Sequence, residues 1–183
     1  MNPIEYKIDE ANNIIFVNEE WDRFALSNSG EEITSDKVLG KNLLDFIMNM
    51  TVRQIYLDII QKVREGKEIS IDFRCDAPTY KRFLKMTIKP ENNNIVKFIS
   101  EAQKIIPQNY LNILDSKAIR SIEFIPMCSW CKKIKMGFEW EELEQAINKY
   151  GLLTQTQVPS LTHTICEDCY KQLESLILRR KDY

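Results

Sequence analysis

Two cysteine pairs constrain this chain more than any other feature. Cys128-Ser129-Trp130-Cys131 and Cys166-Glu167-Asp168-Cys169 are CxxC motifs separated by 34 residues. A CxxC turn can present two thiolates to one ion, and two such turns complete a tetrahedral site for Zn²⁺, with metal–sulfur distances of about 2.3 Å. Four of the chain's 5 cysteines fall in these pairs, so buried cysteines placed by coincidence are a poor explanation. The metal expected here is zinc, held by Cys128, Cys131, Cys166 and Cys169. A site closed by four protein ligands has no position for water or substrate and is structural. It substitutes for the core that a unit of some 60 residues cannot build alone.

His163 is the only histidine and stands three residues before Cys166. It can replace one cysteine as a ligand, donate a hydrogen bond to a thiolate, or simply face solvent. The all-thiolate set is preferred, because the two pairs suffice without it. A redox CxxC needs a helix N-terminus in a βαβ setting to lower the thiol pKa. The second pair argues for metal instead, and a zinc site that loses its ion on oxidation is the minor alternative.

The rest of the 183 residues read as a separate unit with a linker. Ile4, Tyr6 and Ile8 alternate with polar residues, Asn12-Asn13 supplies a turn, and Ile14–Val17 is a second β-rich run. Trp21, Phe24 and Ala25 share a helical face over 19–28. Val38 to Ile47 reads as a turn into a short helix. The clearest helix spans 51–65, with Val52, Ile55, Tyr56, Ile59, Ile60 and Val63 on one face. Thr51 and Gln54 have capping-box spacing at its start. Three strands are expected over 68–75, 82–89 and 94–99. In the C-terminal part, a strand over 122–125 leads to Cys128 and a helix covers 139–150. A polar stretch with Pro159 as a breaker precedes His163, and a last helix ends in Arg179-Arg180-Lys181. The expected divisions are 1–103, a connector at 104–120, and a zinc-binding module at 121–183.

Charge excludes some functions. The chain carries 25 basic and 27 acidic residues, and residues 121–183 carry 8 and 9. A salt-sensitive phosphate grip needs clustered cations, so nucleic-acid binding through Lys132, Lys133, Lys135 and the basic end is disfavoured. No apolar run reaches the roughly 18 residues of a membrane-crossing helix. No secretory signal opens the sequence, and a cytoplasmic protein is expected. Walker, GxGxxG and GxSxG motifs are all missing. His163 lies inside the metal motif and is no phosphoacceptor, and Glu31-Glu32 and Glu141-Glu142 read as solvated surface. The expectation is a protein that is not an enzyme.

The order of elements over residues 3–102, with Val38-Leu39-Gly40-Lys41 followed by Leu43-Leu44-Asp45-Phe46-Ile47, resembles a PAS sensory domain. The whole chain resembles a group of bacterial PAS-like proteins with a zinc-ribbon-like tail. The resemblance rests on Trp21 with Phe24-Ala25, on Phe73-Arg74-Cys75-Asp76-Ala77-Pro78, on Arg82-Phe83-Leu84-Lys85-Met86, and on the two cysteine segments. Such tails usually have Gly after the histidine and Pro after the third cysteine. Here Thr164 and Glu167 stand there, which puts the turn chemistry in question.

The resemblance implies an α+β fold: a five-stranded antiparallel PAS-like sheet with flanking helices, plus a small zinc-binding module. It implies signal transduction by a sensor or adaptor, with a protein partner and homodimerisation, and a small ligand between sheet and helices. Residues expected to line that ligand are Phe24, Phe46, Tyr56, Phe73, Cys75, Phe83 and Met86, with Ile47 and Ile60; the bland reading is that they fill the core. A histidine-ligated haem is excluded because residues 1–120 hold no histidine. A haem on Cys75 has one thiol as its whole support. The Asn-Cys-Arg motif of flavin light sensors is replaced by Gly40-Lys41-Asn42-Leu43-Leu44. Cys75 reads as a buried thiol on the side of its strand shared with Phe73, although Arg74 beside it would suit a reactive one. The alternatives kept are a zinc-dependent nucleic-acid regulator and a thiol redox sensor.

Overall fold

The computed structural model describes residues 1–151 and 157–178. The first strand, β1 (Ile4–Ile8), buries every second side chain, as its alternation requires. Asp9 turns it towards β2 (Ile14–Val17): its Oδ1 accepts from the N–H groups of Ala11 and Asn13, while Asn12 takes a left-handed φ of 67°. Helix α1 (Glu19–Ser27) starts at Asn18, whose side chain accepts the Trp21 N–H. A single turn, α2 (Ser35–Val38), and a 3₁₀ turn over Leu43–Phe46 follow, joined through Gly40 at φ 77°. The long helix α3 (Met50–Arg64) buries Val52, Ile55, Ile59, Ile60 and Val63. Its cap is Asn49, which accepts the Val52 N–H at 3.1 Å, and not the Thr51 that the capping-box spacing suggests.

Strands β3 (Ile69–Arg74), β4 (Tyr80–Pro90) and β5 (Val96–Pro107) complete an antiparallel sheet of order β2-β1-β5-β4-β3. This is the expected α+β architecture: a five-stranded antiparallel sheet with helices inserted between its second and third strands. The buried residues of α3 pack with Ile8, Ile88, Val96 and Phe98 of the sheet. Tyr6 stacks on Phe98 at 4.4 Å between ring centres and meets the edge of Trp21. Strand β5 continues beyond residue 99 because β4 is long enough to pair with it as far as Tyr80–Pro107.

The second sheet has the order β8-β7-β6-β9. It comprises β6 (Arg120–Cys128), β7 (Ile134–Met136), β8 (Glu139–Glu141) and β9 (Val158–Thr164), with β6 and β9 parallel. Helix α4 (Leu143–Lys149) is shorter than the expected 139–150, because Glu139–Glu141 pairs with β7. Pro159 sits inside β9. An edge strand tolerates it, since the missing N–H can fall on the unpaired side. Ile113, Ile134, Leu143, Ile147 and Val158 form a second core.

The cysteine-bearing end of this sheet belongs instead to the first core. Cys128, Trp130, Cys166 and Leu173 of helix α5 (Glu167–Leu178) pack in the same cluster as α3. The expected basic end at Arg179-Arg180-Lys181 lies outside the described residues. Among the described residues, no helix is long and apolar enough to cross a membrane.

Candidate metal centre and the adjoining cleft

Each cysteine pair is set by its local backbone. Strand β6 delivers Cys128, and the chain then turns back: the Cys128 N–H donates to the Lys133 carbonyl at 2.8 Å, and the Lys132 N–H to the Cys128 carbonyl at 3.1 Å. Lys132 closes the turn at a left-handed φ of 64°. The second pair straddles the start of α5, where the Tyr170 N–H donates to the Cys166 carbonyl at 2.9 Å. The two turns are tied directly, because the Ser129 N–H donates to the Thr164 carbonyl at 2.8 Å.

This brings the Sγ atoms of Cys128, Cys131, Cys166 and Cys169 within 4.8 Å of one another. All five cysteines are free thiols, and Cys131 Sγ to Cys166 Sγ is 3.7 Å. A tetrahedron with metal–sulfur distances of about 2.3 Å has edges of about 3.8 Å, so this spacing fits a tetrahedral thiolate site. The chemistry of the donor set points the same way. Hydrogen bonds from the Cys131 and Cys169 thiols, then from the Cys131 and Cys166 N–H groups, pull Cys128 far below its ordinary pKa. The hydrogen bond with Cys128 pushes Cys131 up to about 12, and Cys169 is also raised, led by its hydrogen bond with Cys128. Four thiols this close cannot all ionise without a cation among them. A divalent ion relieves that repulsion.

His163, exposed on β9, lies outside this group of four thiols. Cys75 also lies outside it, just past the end of β3 and not on the strand as expected.

A cleft of about 670 Å³ opens between the first sheet and the Cys128–Cys131 turn. Of the residues expected to line a ligand, Phe46, Ile47, Tyr56, Phe73, Cys75 and Met86 face it together. Ile60 is fully buried in the core. Phe24 lies under the Arg82 guanidinium, 4.8 Å from ring centre to Cζ. Phe83 lines a different recess with Trp130, Cys131 and Cys169. Sequence reasoning missed Met48, Asn49, Val52 and Arg74 in this lining, and it missed Ser129, Trp130, Lys132, Leu161, Thr162 and His163, which bring the second unit into the wall. The one available signal was Trp130, a large apolar side chain inside a cysteine turn that needs something to pack on.

Arg74 joins the two units at this wall. Its N–H donates to the Trp130 carbonyl at 2.7 Å. Its guanidinium binds Asp76, Glu142 at 3.4 Å and Glu144 at 2.8 Å. Burial opposes the charge, but the hydrogen bonds and charges of Asp76 and then Glu144 outweigh it and raise the pKa.

Among solved structures, the chain is similar to the PAS domain of the Cronobacter turicensis RpfR quorum-sensing receptor in complex with C12:0. That likeness has 14% identity over 57% of this chain and 96% of that one, with a TM-score of 0.41. It is also similar to a sensory box sensor histidine kinase from Vibrio cholerae, at 11% identity over 58% of this chain and 85% of that one, with a TM-score of 0.41. No family model matches the sequence, and no curated protein matches it.

Proposed function

We propose that this chain is a non-enzymatic bacterial signalling protein of the cytoplasm. A PAS-like sensory unit over 1–103 passes through a connector at 104–120 to a module at 121–183. That module holds one structural Zn²⁺ on Cys128, Cys131, Cys166 and Cys169. The observation that carries the reading is the mutual approach of four thiols from two turns, with a 3.7 Å edge between Cys131 and Cys166. An all-sulfur tetrahedral set suits zinc. Bound there, the ion would fix the two turns to each other and hold Trp130 and Leu173 against α3. The PAS-like unit receives a small ligand or a protein partner. Ile122, Phe124 and Phe138 are large exposed apolar side chains of the second unit and support a partner surface there.

Elemental analysis of the purified full chain tests the metal reading. One zinc per chain is expected, with zinc lost in Cys166→Ser and retained in Cys75→Ser. Absence of zinc, or equal retention in both variants, would overturn it. The thiol-sensor reading is favoured only if mild peroxide releases the metal reversibly.

A further inference from the structure

We infer that the cleft between the first sheet and the Cys128–Cys131 turn binds a small molecule with an apolar body and one anionic group, the anion resting at Lys132. This rests on the ligand-receiving role proposed above and names the chemistry of the ligand. The cleft's volume of about 670 Å³ suits one small molecule, and its walls are apolar: Phe46, Val52, Tyr56, Phe73, Met86 and Trp130.

The polar lining is unbalanced in charge. Arg74, Lys132 and His163 face the cleft, and among the described residues no Asp or Glu does. Arg74 is already engaged by Asp76, Glu142 and Glu144. Lys132 is not engaged in that way. Its Nζ donates to the Ser129 carbonyl at 2.9 Å, and an ammonium has three donors, so two stay available. His163 lines the same cleft as Lys132, and a ring N–H of its imidazole can donate to the same anion. Lys132 and His163 also line the adjacent recess of about 410 Å³, together with Arg120 and with Asp76, whose carboxylate is paired with Arg74, which places them where the two spaces meet.

A neutral ligand would cover Lys132 without pairing it, whereas an anion pairs it in a site of lowered dielectric. Ser129, Trp130 and Lys132 belong to the metal-binding turn itself. One wall of the site is therefore complete only when that turn is formed.

Two fluorescent probes of nearly the same shape test this on the metal-loaded full chain. They are anilinonaphthalene sulfonate, an anion, and N-phenyl-naphthylamine, which is uncharged. The anion should bind at one site per chain. Lys132→Gln should weaken it about tenfold, the loss of one charge-assisted hydrogen bond, and leave the neutral probe unchanged. Lys132→Arg should preserve anion binding. Phe46→Ala removes a ring that is 41% exposed, so the fold should survive, and both probes should weaken. Equal loss of both probes in Lys132→Gln, no loss of the anion, or insensitivity to Phe46→Ala would overturn the inference. Absence of probe binding to protein with full zinc content would overturn it too, and would leave the metal reading standing. Absence of zinc in the same samples would instead count against that reading.

Discussion

Replacing Arg74 by Met should be among the most damaging single changes in the chain. Arg74 is 7% exposed, and Asp76, its nearest partner, has a fully buried side chain. Without the guanidinium, Asp76 keeps only the Arg82 N–H at 3.2 Å among its protein donors. Breaking a buried pair from one side typically costs about 3–5 kcal/mol, because the remaining charge is stranded. Glu142 and Glu144 add little. Their side chains are 44% and 33% exposed, and Glu144 keeps its pairing with Lys81. The backbone bond from Arg74 to Trp130 survives the change.

The expected loss is therefore about 3–5 kcal/mol. It would appear as a lower urea midpoint with an unchanged slope, followed by tryptophan emission. Removing both partners, as Arg74→Met with Asp76→Leu, should cost less than Arg74→Met alone, since no charge is left buried. A loss under about 1 kcal/mol for Arg74→Met, the range of a surface ion pair, would refute the reasoning. So would strict additivity in the double variant.

Three further outcomes are expected. Leu173→Ala empties a site 2% exposed beside α3 and should cost about 2–4 kcal/mol in the same urea assay, while zinc content stays whole. Asn49→Ala removes the cap of α3 and should cost about 1 kcal/mol, with Asn49→Asp close to wild type. Burial raises the pKa of Tyr56 from 10.0 to about 12, and it raises that of Tyr6 as well. The folded chain then holds more protons than the unfolded one across that interval, so stability is intact below pH 10 and falls as pH climbs towards 12. Tyr56→Phe should flatten this alkaline slope, and an identical slope in the variant would contradict the assignment.

Features with a local signature were legible in the sequence. The helix under Val52, Ile55, Ile59, Ile60 and Val63 follows from spacing alone, and each of these residues is buried. The cysteine pairs follow from spacing as well, and their thiols do meet. Features decided by distant partners were not legible. The start of α3 went to Asn49 because a short amide reaches the Val52 N–H directly. Residues 139–141 are helix-compatible by pattern, but β7 offers them a pairing edge. Pro159 reads as a breaker until an edge strand accommodates it. At the cleft, the aromatic residues of the first unit could be listed from their strands and helices. That Ser129, Trp130 and Lys132 would form the opposite wall could not, because it depends on how the metal-binding turn packs against α3.

X-ray absorption at the zinc edge of the full chain tests the central claim most directly. Four sulfur neighbours at about 2.3 Å are expected, with no nitrogen or oxygen in the shell. A shell of three sulfurs and one nitrogen at about 2.0 Å would put His163 in place of a cysteine and contradict the all-thiolate centre. A spectrum without zinc would contradict the metal centre itself.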